Sequence, residues 1–164
     1  MAPKKILFCT DFSENSEPAR ELAVEYAKAL GADLNIIHVI DMGWIPSPGG
    51  WAGTGIAPIL SVLETTAATE LESIAKKCSE VVKGVLTYCK VGSVPREIVG
   101  FATEQGVDLI VIGTHGRTGV KHLIMGSVAR SVLRMAHRPV LIVEAPLGKG
   151  ETVEGLYDAL LPRP

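Results

Sequence analysis

The densest chemistry in this 164-residue chain lies between Leu109 and Val128. Gly113, Gly116 and Gly119 follow the wholly apolar run Leu109-Ile110-Val111-Ile112, and Gly126-Ser127 closes the segment. Glycine has no Cβ, so backbone built from it can turn sharply and come close to a ligand. A helix opening at Ser127 would aim unpaired amides and the positive end of its dipole into the same crevice, and the Ser127 hydroxyl would add a further donor. Such an arrangement binds anions, phosphate above all. Between Asp108 and Glu144 the chain holds Arg117, Lys121, Arg130, Arg134 and Arg138 and no carboxylate. A positive segment within a chain of net charge −2 suits a discrete anion site and argues against a general nucleic-acid binder. Neither GxGxxG nor a Walker A sequence is present. Without further context the same glycines would also suit a plain turn between strand and helix.

Other reactive side chains are scattered. Asp11 stands where an apolar run ends, as a hydrogen-bond partner for a ligand, a metal ligand or base, or a helix-capping carboxylate. His115 lies inside the glycine loop and suits either a phosphate contact or a solvent-facing ring. Arg117 and Lys121 fit phosphate contacts or ordinary solvated charges equally well. His38 alternates within an apolar run and reads as a satisfied core or face residue. No spacing argues for a catalytic triad, and efficient phosphoryl transfer would need a placed base and a metal clamp that the sequence does not display.

The elements that must hold these residues alternate regularly. Ile6 to Cys9, Leu34 to Ile40, Val85 to Val91, Leu109 to Ile112 and Val140 to Val143 read as short buried strands. Between them run helical patterns: Ala19 to Leu30, with Ser13 as cap, Pro18 in the first turns and Gly31 as stop; Leu60 to Val82, ended by Gly84; Ser93 to Ala102, closed at Gly106; and a last helix marked by Val128, Val132 and Leu133. This order predicts an α/β domain with a doubly wound, mostly parallel five-stranded sheet and helices on both faces. Ligands of such sheets bind beyond the carboxyl ends of the strands.

Residues 41–57 hold both tryptophans, Trp44 and Trp51, in a Gly- and Pro-rich stretch without period. It reads either as a mobile cover or as a passive insertion. One domain is expected over residues 1–145, followed by a tail at 146–164. Cys9, Cys78 and Cys89 have no metal-like spacing and read as reduced thiols of a cytoplasmic protein. No stretch has the length and apolarity of a signal core or a membrane span, so no membrane partner is expected.

Gly113-x-x-Gly116, nine residues, then Gly126-Ser127 resembles the G-2x-G-9x-G-(S/T) nucleotide signature of universal stress proteins. Lys5 to Ser13, Val107 to Gly116 and His137 to Val143 resemble the family's first strand and turn, its fourth strand, and its close. The resemblance implies a sheet order of 3-2-1-4-5, a homodimer joined through the fifth strands, and an adenine-nucleotide site for ATP, ADP or AMP, with Mg or Mn able to accompany a triphosphate. Thr10, Asp11 and Val39 match positions that hold the adenosine half; Ile112 and Gly113 match the floor. Gly116, Gly126, Ser127 and Val128 match those that grip phosphates, joined by His115 and Arg117 in the same loop. Cys9 stands where many nucleotide-binding members have Pro. The expected function is ATP binding in a stress-response or regulatory role, with at most slow hydrolysis or self-phosphorylation. A nucleotide-free dimeric scaffold and an adenylating enzyme of the same architecture are the alternatives.

Overall fold

Side chains alternate along a strand, so apolar runs such as Ile6-Leu7-Phe8-Cys9 present a hydrophobic row to each face of a sheet, and each face needs a helical cover. A computed structural model, which describes residues 2–44, 56–114 and 125–144, shows that arrangement. The strands are β1 (Lys5–Cys9), β2 (Asp33–Asp41), β3 (Val85–Gly92), β4 (Leu109–Gly113) and β5 (Val140–Val143). The helices are α1 (Glu17–Leu30), α2 (Ile56–Ser79), α3 (Val94–Glu104) and α4 (Ser127–Met135). All strand pairs are parallel, in the order β3-β2-β1-β4-β5. The central strand β1 aligns Cys9 with Ile37 on one side and with Ile112 on the other.

The alternation divides the core in two. Ile6, Phe8, Leu34, Ile36 and Val111 pack under α1 and α2, where Ala19, Ala23 and Ala27 bring α1 close to the sheet. Leu7, Cys9, Ile37, Val39, Ile110 and Ile112 face α3 and α4 through Ile98, Phe101, Ala129 and Val132. Among the described residues no helix is long and apolar enough to cross a membrane.

The stop signals work as their chemistry requires. Gly31 and Gly106 take left-handed φ of 61° and 64°. Ala32 N–H then reaches the Ala27 carbonyl and Val107 N–H the Ala102 carbonyl, both at 2.9 Å, closing each helix before a strand begins. The start of α1 differs from expectation. Ser13 makes no side-chain cap; its hydroxyl is spent on Asp11 Oδ1, and a 3₁₀ turn over Glu14–Ser16 leads into the helix. The second long connection is also shorter than the 41–57 expected. Asp41 still belongs to β2, Met42–Trp44 form a 3₁₀ turn, and α2 begins at Ile56, because Pro58 is tolerated in a first helical turn. Residues 45–55, which hold most of that loop, and the expected tail at 146–164 lie outside the described residues.

At the amino end of the sheet, Asp108 Oδ2 accepts the backbone N–H of Lys4 at 2.8 Å and of Lys5 at 3.0 Å, tying β1 to β4. Those two bonds hold the carboxyl below its ordinary value. A depressed carboxyl contributes stability above its unfolded pKa and loses it as pH falls through the folded one. Asp108→Asn should therefore lower the melting temperature at pH 7 modestly, since the side chain is exposed and screened, and the gap should close as pH falls through the depressed folded-state pKa of the carboxyl. Ile110→Ala, at a fully buried position, should destabilise by about 2–5 kcal/mol in chemical denaturation, far more than the surface change.

Candidate functional site

β1 and β4 lie side by side, yet the chain leaves them toward opposite faces, into α1 and into α4. Where neighbouring crossovers diverge, a crevice must open at the carboxyl edge. A cavity of about 760 Å³ occupies that place, within the range of small-molecule sites. It is lined by Cys9, Thr10, Asp11 and Phe12 from the end of β1, by Ile37 to Asp41 from β2, and by Ile112, Gly113 and Thr114 from β4. Leu63, Thr66 and Ala67 of α2, Val94 and Ile98 of α3, and Gly126 to Ala129 at the start of α4 complete the wall.

The turn after β1 is held by its own polar groups. Asp11 Oδ1 accepts the Ser13 hydroxyl at 2.6 Å and the Ser13 N–H at 3.1 Å. Ser16 Oγ donates its one proton to the Ser13 carbonyl at 2.8 Å, so the 3.2 Å contact between the two hydroxyls has Thr10 as donor. Thr10 Oγ1 in turn accepts the Phe12 N–H at 3.0 Å. Phe12 has a φ of 65°, a left-handed conformation that is uncommon for a bulky side chain. Behind it, His38 stacks on the Phe12 ring at 4.0 Å and places Nδ1 2.9 Å from the Thr10 carbonyl.

Across the cavity, Thr114 N–H donates to the Val143 carbonyl at 2.9 Å, and Gly126 N–H to the Thr114 carbonyl at 2.8 Å. The second bond brings the two ends of the intervening loop together and sets α4 off from the end of β4. Gly126 is the N-cap of α4, in extended conformation and without a side-chain cap. The first-turn amides of Ser127, Val128 and Ala129 have no acceptor within a helix, and all three residues border the cavity. Positive dipole and free donors therefore face it together.

Around this cavity the structure assembles Thr10, Asp11, Val39, Ile112, Gly113, Gly126, Ser127 and Val128, eight of the positions expected from sequence. His115, Gly116 and Arg117, like Gly119 and Lys121, lie outside the described residues. Two of the five cations between Asp108 and Glu144 have backbone partners. Arg138 donates to the Val107 carbonyl at 2.6 Å, at the amino end of the sheet, and Arg130 donates to the Met125 carbonyl at 2.9 Å. Arg138, counted along the sequence with the positive segment, thus lies away from the site, because the chain past α4 carries it to the amino end of the sheet.

Several lining residues were not singled out in the sequence. Phe12 was read only as part of the break after β1, Leu63 and Ala67 only as the inward face of a helix, Ser16 was given no reading, and His38 was read as a satisfied core or face residue. The period of α2 could have placed Leu63 and Ala67 on an inward face, but nothing in the period separates core from cavity wall. All three cysteines are free thiols, and burial pushes each above its ordinary pKa, Cys9 most of all. Cys9 is therefore a neutral wall element. Among the described residues no group of three or more His, Cys, Asp or Glu is placed to hold a metal ion.

Comparison with known proteins agrees with this fold. Residues 3–144 match the Universal stress protein family. Universal stress protein MJ0531 of Methanocaldococcus jannaschii is 35% identical over 146 residues, covering 87% of this chain and 83% of its own. Universal stress protein MJ0577 of the same organism is 32% identical over 153 residues, covering 86% and 94%. The solved structure of MJ0577 has a TM-score of 0.80, covering 90% of this chain and 100% of that one at 32% identity. A universal stress protein solved in complex with cAMP has a TM-score of 0.62 at 25% identity, covering 88% and 98%. With a family match over nearly the whole described fold and relatives of this similarity over most of their length, the chain belongs to the universal stress protein family.

Proposed function

We propose that this chain binds an adenine nucleotide, with ATP as the favoured ligand, in the cavity between β1 and β4, and serves as a nucleotide-dependent regulatory or stress-response protein. The observation that carries this reading is convergence: eight residues of the expected signature, from four separate elements, border one cavity of about 760 Å³. A family member of the same fold, aligned at 25% identity, was solved in complex with cAMP. On this reading Thr10, Asp11 and Val39 meet the adenosine half, with the Asp11 carboxylate oriented by Ser13 to accept from ribose hydroxyls or the base edge. Ile112 and Gly113 form the floor. Ser127 Oγ and the first amides of α4 receive phosphate oxygens, together with His115, Gly116 and Arg117 from the glycine loop. Mg²⁺ or Mn²⁺ would accompany a triphosphate as its counter-ion. On this reading the chain's contribution is binding, with at most slow hydrolysis.

A homodimer through β5 belongs to the same proposal. β5 has β4 on one side only and is an edge of the sheet. Val143 and Pro139 offer their carbonyls to β4, which turns the backbone groups of Val140 and Ile142 outward, free to pair with a second copy across a two-fold axis.

Two measurements test these readings. ATP at 100 times its dissociation constant should stabilise the fold by about 2.7 kcal/mol, visible as a melting shift, with GTP and cAMP as comparison ligands. Gly126→Val combined with Ser127→Ala should abolish the shift while leaving the far-UV spectrum intact; an unchanged response to ATP would place the site elsewhere. Light scattering at tens of micromolar, roughly the range in which weak self-association shows, should give a dimer. Ile142→Pro, which deletes one outward N–H from an edge strand, should give a folded monomer.

A further inference from the structure

The Thr10–Ser13 turn contains a conformation that its own sequence does not favour. Phe12 at φ 65° has a bulky side chain where Gly or Asn is the usual occupant, and such a residue persists only where its surroundings over-determine it. Three of its restraints are local: Thr10 Oγ1 on the Phe12 N–H, and Asp11 Oδ1 on the Ser13 N–H and hydroxyl. Local bonds alone leave the turn free to swing as a unit about the end of β1. Anchorage to the sheet comes from β2. Ile37 accepts the Thr10 N–H at 3.0 Å, and His38 takes the other side of the same residue, its Nδ1 2.9 Å from the Thr10 carbonyl. The same imidazole lies flat against the Phe12 ring, with centroids 4.0 Å apart and planes 26° from parallel. One side chain thus grips the residue before Asp11 by a hydrogen bond and the residue after it by a stack.

We propose that His38 is the positioning residue of this site: it fixes the Thr10–Ser13 turn, and with it the Asp11 carboxylate, in the geometry that meets the nucleoside half of the ligand. The inference rests on the adenine-nucleotide reading above and adds to it the residue on which recognition of the nucleoside, as distinct from the phosphates, depends. A carbonyl oxygen can only accept, so Nδ1 must carry a proton. His38 is only 8% exposed, so removing its N–H leaves the Thr10 carbonyl without this donor at a buried site. Binding constellations tolerate displacements of only about half an ångström, which makes a loosened Asp11 costly even though no ligand contact has been deleted. The phosphate side is built on α4 and does not depend on β2, so it should be spared.

The test compares wild type with His38→Asn, whose amide lies near the position of Nδ1 and keeps the donor, and His38→Phe, which keeps the stack and loses the donor. Calorimetric titrations use ATP, AMP and inorganic triphosphate as probes. His38→Asn should bind ATP within about threefold of wild type, whereas His38→Phe should lose about tenfold for ATP and AMP, the size of one hydrogen bond, with inorganic triphosphate unchanged. Equal losses for all three probes would mean general destabilisation, and wild-type affinity in His38→Phe would mean a passive ring; either overturns the proposal. Amide hydrogen exchange without ligand gives an independent arm. Phe12 and Ser13 should exchange faster in His38→Phe than in His38→Asn, with β4 amides as the reference for global opening. If wild type binds no nucleotide, the functional reading fails, while the exchange pattern still decides whether His38 holds the turn. Should His38→Phe not fold, nitrogen-15 spectra of the wild-type imidazole decide: an unprotonated Nδ1 at neutral pH rules out the bond to Thr10 and the proposal with it.

Discussion

Two adjacent parallel strands whose chains depart to opposite faces form the constraint on which the rest of this molecule depends. β1 and β4 share a register from Ile6↔Leu109 to Cys9↔Ile112, and their side chains pack as one surface on either face. Past Cys9 and Gly113 that continuity cannot last, because α1 must cover one layer and α4 the other. Backbone at the point of parting keeps its outer strand neighbour but loses the other of these two strands, so the polar groups facing the gap must be satisfied by side chains or loops. Asp11, Thr10, Ser16 and His38 do this on the β1 side, and the Gly126–Thr114 bond does it on the β4 side. The cavity and its polar rim are thus a consequence of topology before they are a feature of any ligand.

This dependence explains which parts were legible in the sequence. The strands are buried on both faces, so they appear as uninterrupted apolar runs, and Leu109 to Ile112 could be assigned without any structure. Gly31 and Gly106 were legible because a left-handed helix stop has few other solutions. The glycine–serine spacing announced the helix start at Ser127, since donors at a helix start follow from local geometry. What could not be read involves pairs distant in sequence. His38 meets Thr10 and Phe12 across 28 and 26 positions, and no periodicity announces that meeting. Ser13 has the right chemistry for a helix cap, yet Asp11 two residues earlier competes for the same hydroxyl and wins with a 2.6 Å bond. Arg138 looked like part of a positive segment until the fold carried it to the opposite edge, against Val107.

The two halves of the site differ in how their shape is maintained. On the α4 side the donors are backbone amides fixed by helix geometry, and they recognise negative charge without regard to what bears it. On the β1 side an aromatic residue in an uncommon conformation, a doubly bonded carboxylate and a buried imidazole hold one another, and each depends on the others' placement. Strain of that kind costs stability, about 1–3 kcal/mol for one such residue, and it is retained where shape matters more than folding energy. On the proposed reading, affinity for a phosphorylated ligand would come largely from the helix end, and discrimination among ligands from the turn. A nucleotide site divided in this way would be able to lose selectivity without losing its anion grip, since the two halves rest on different elements.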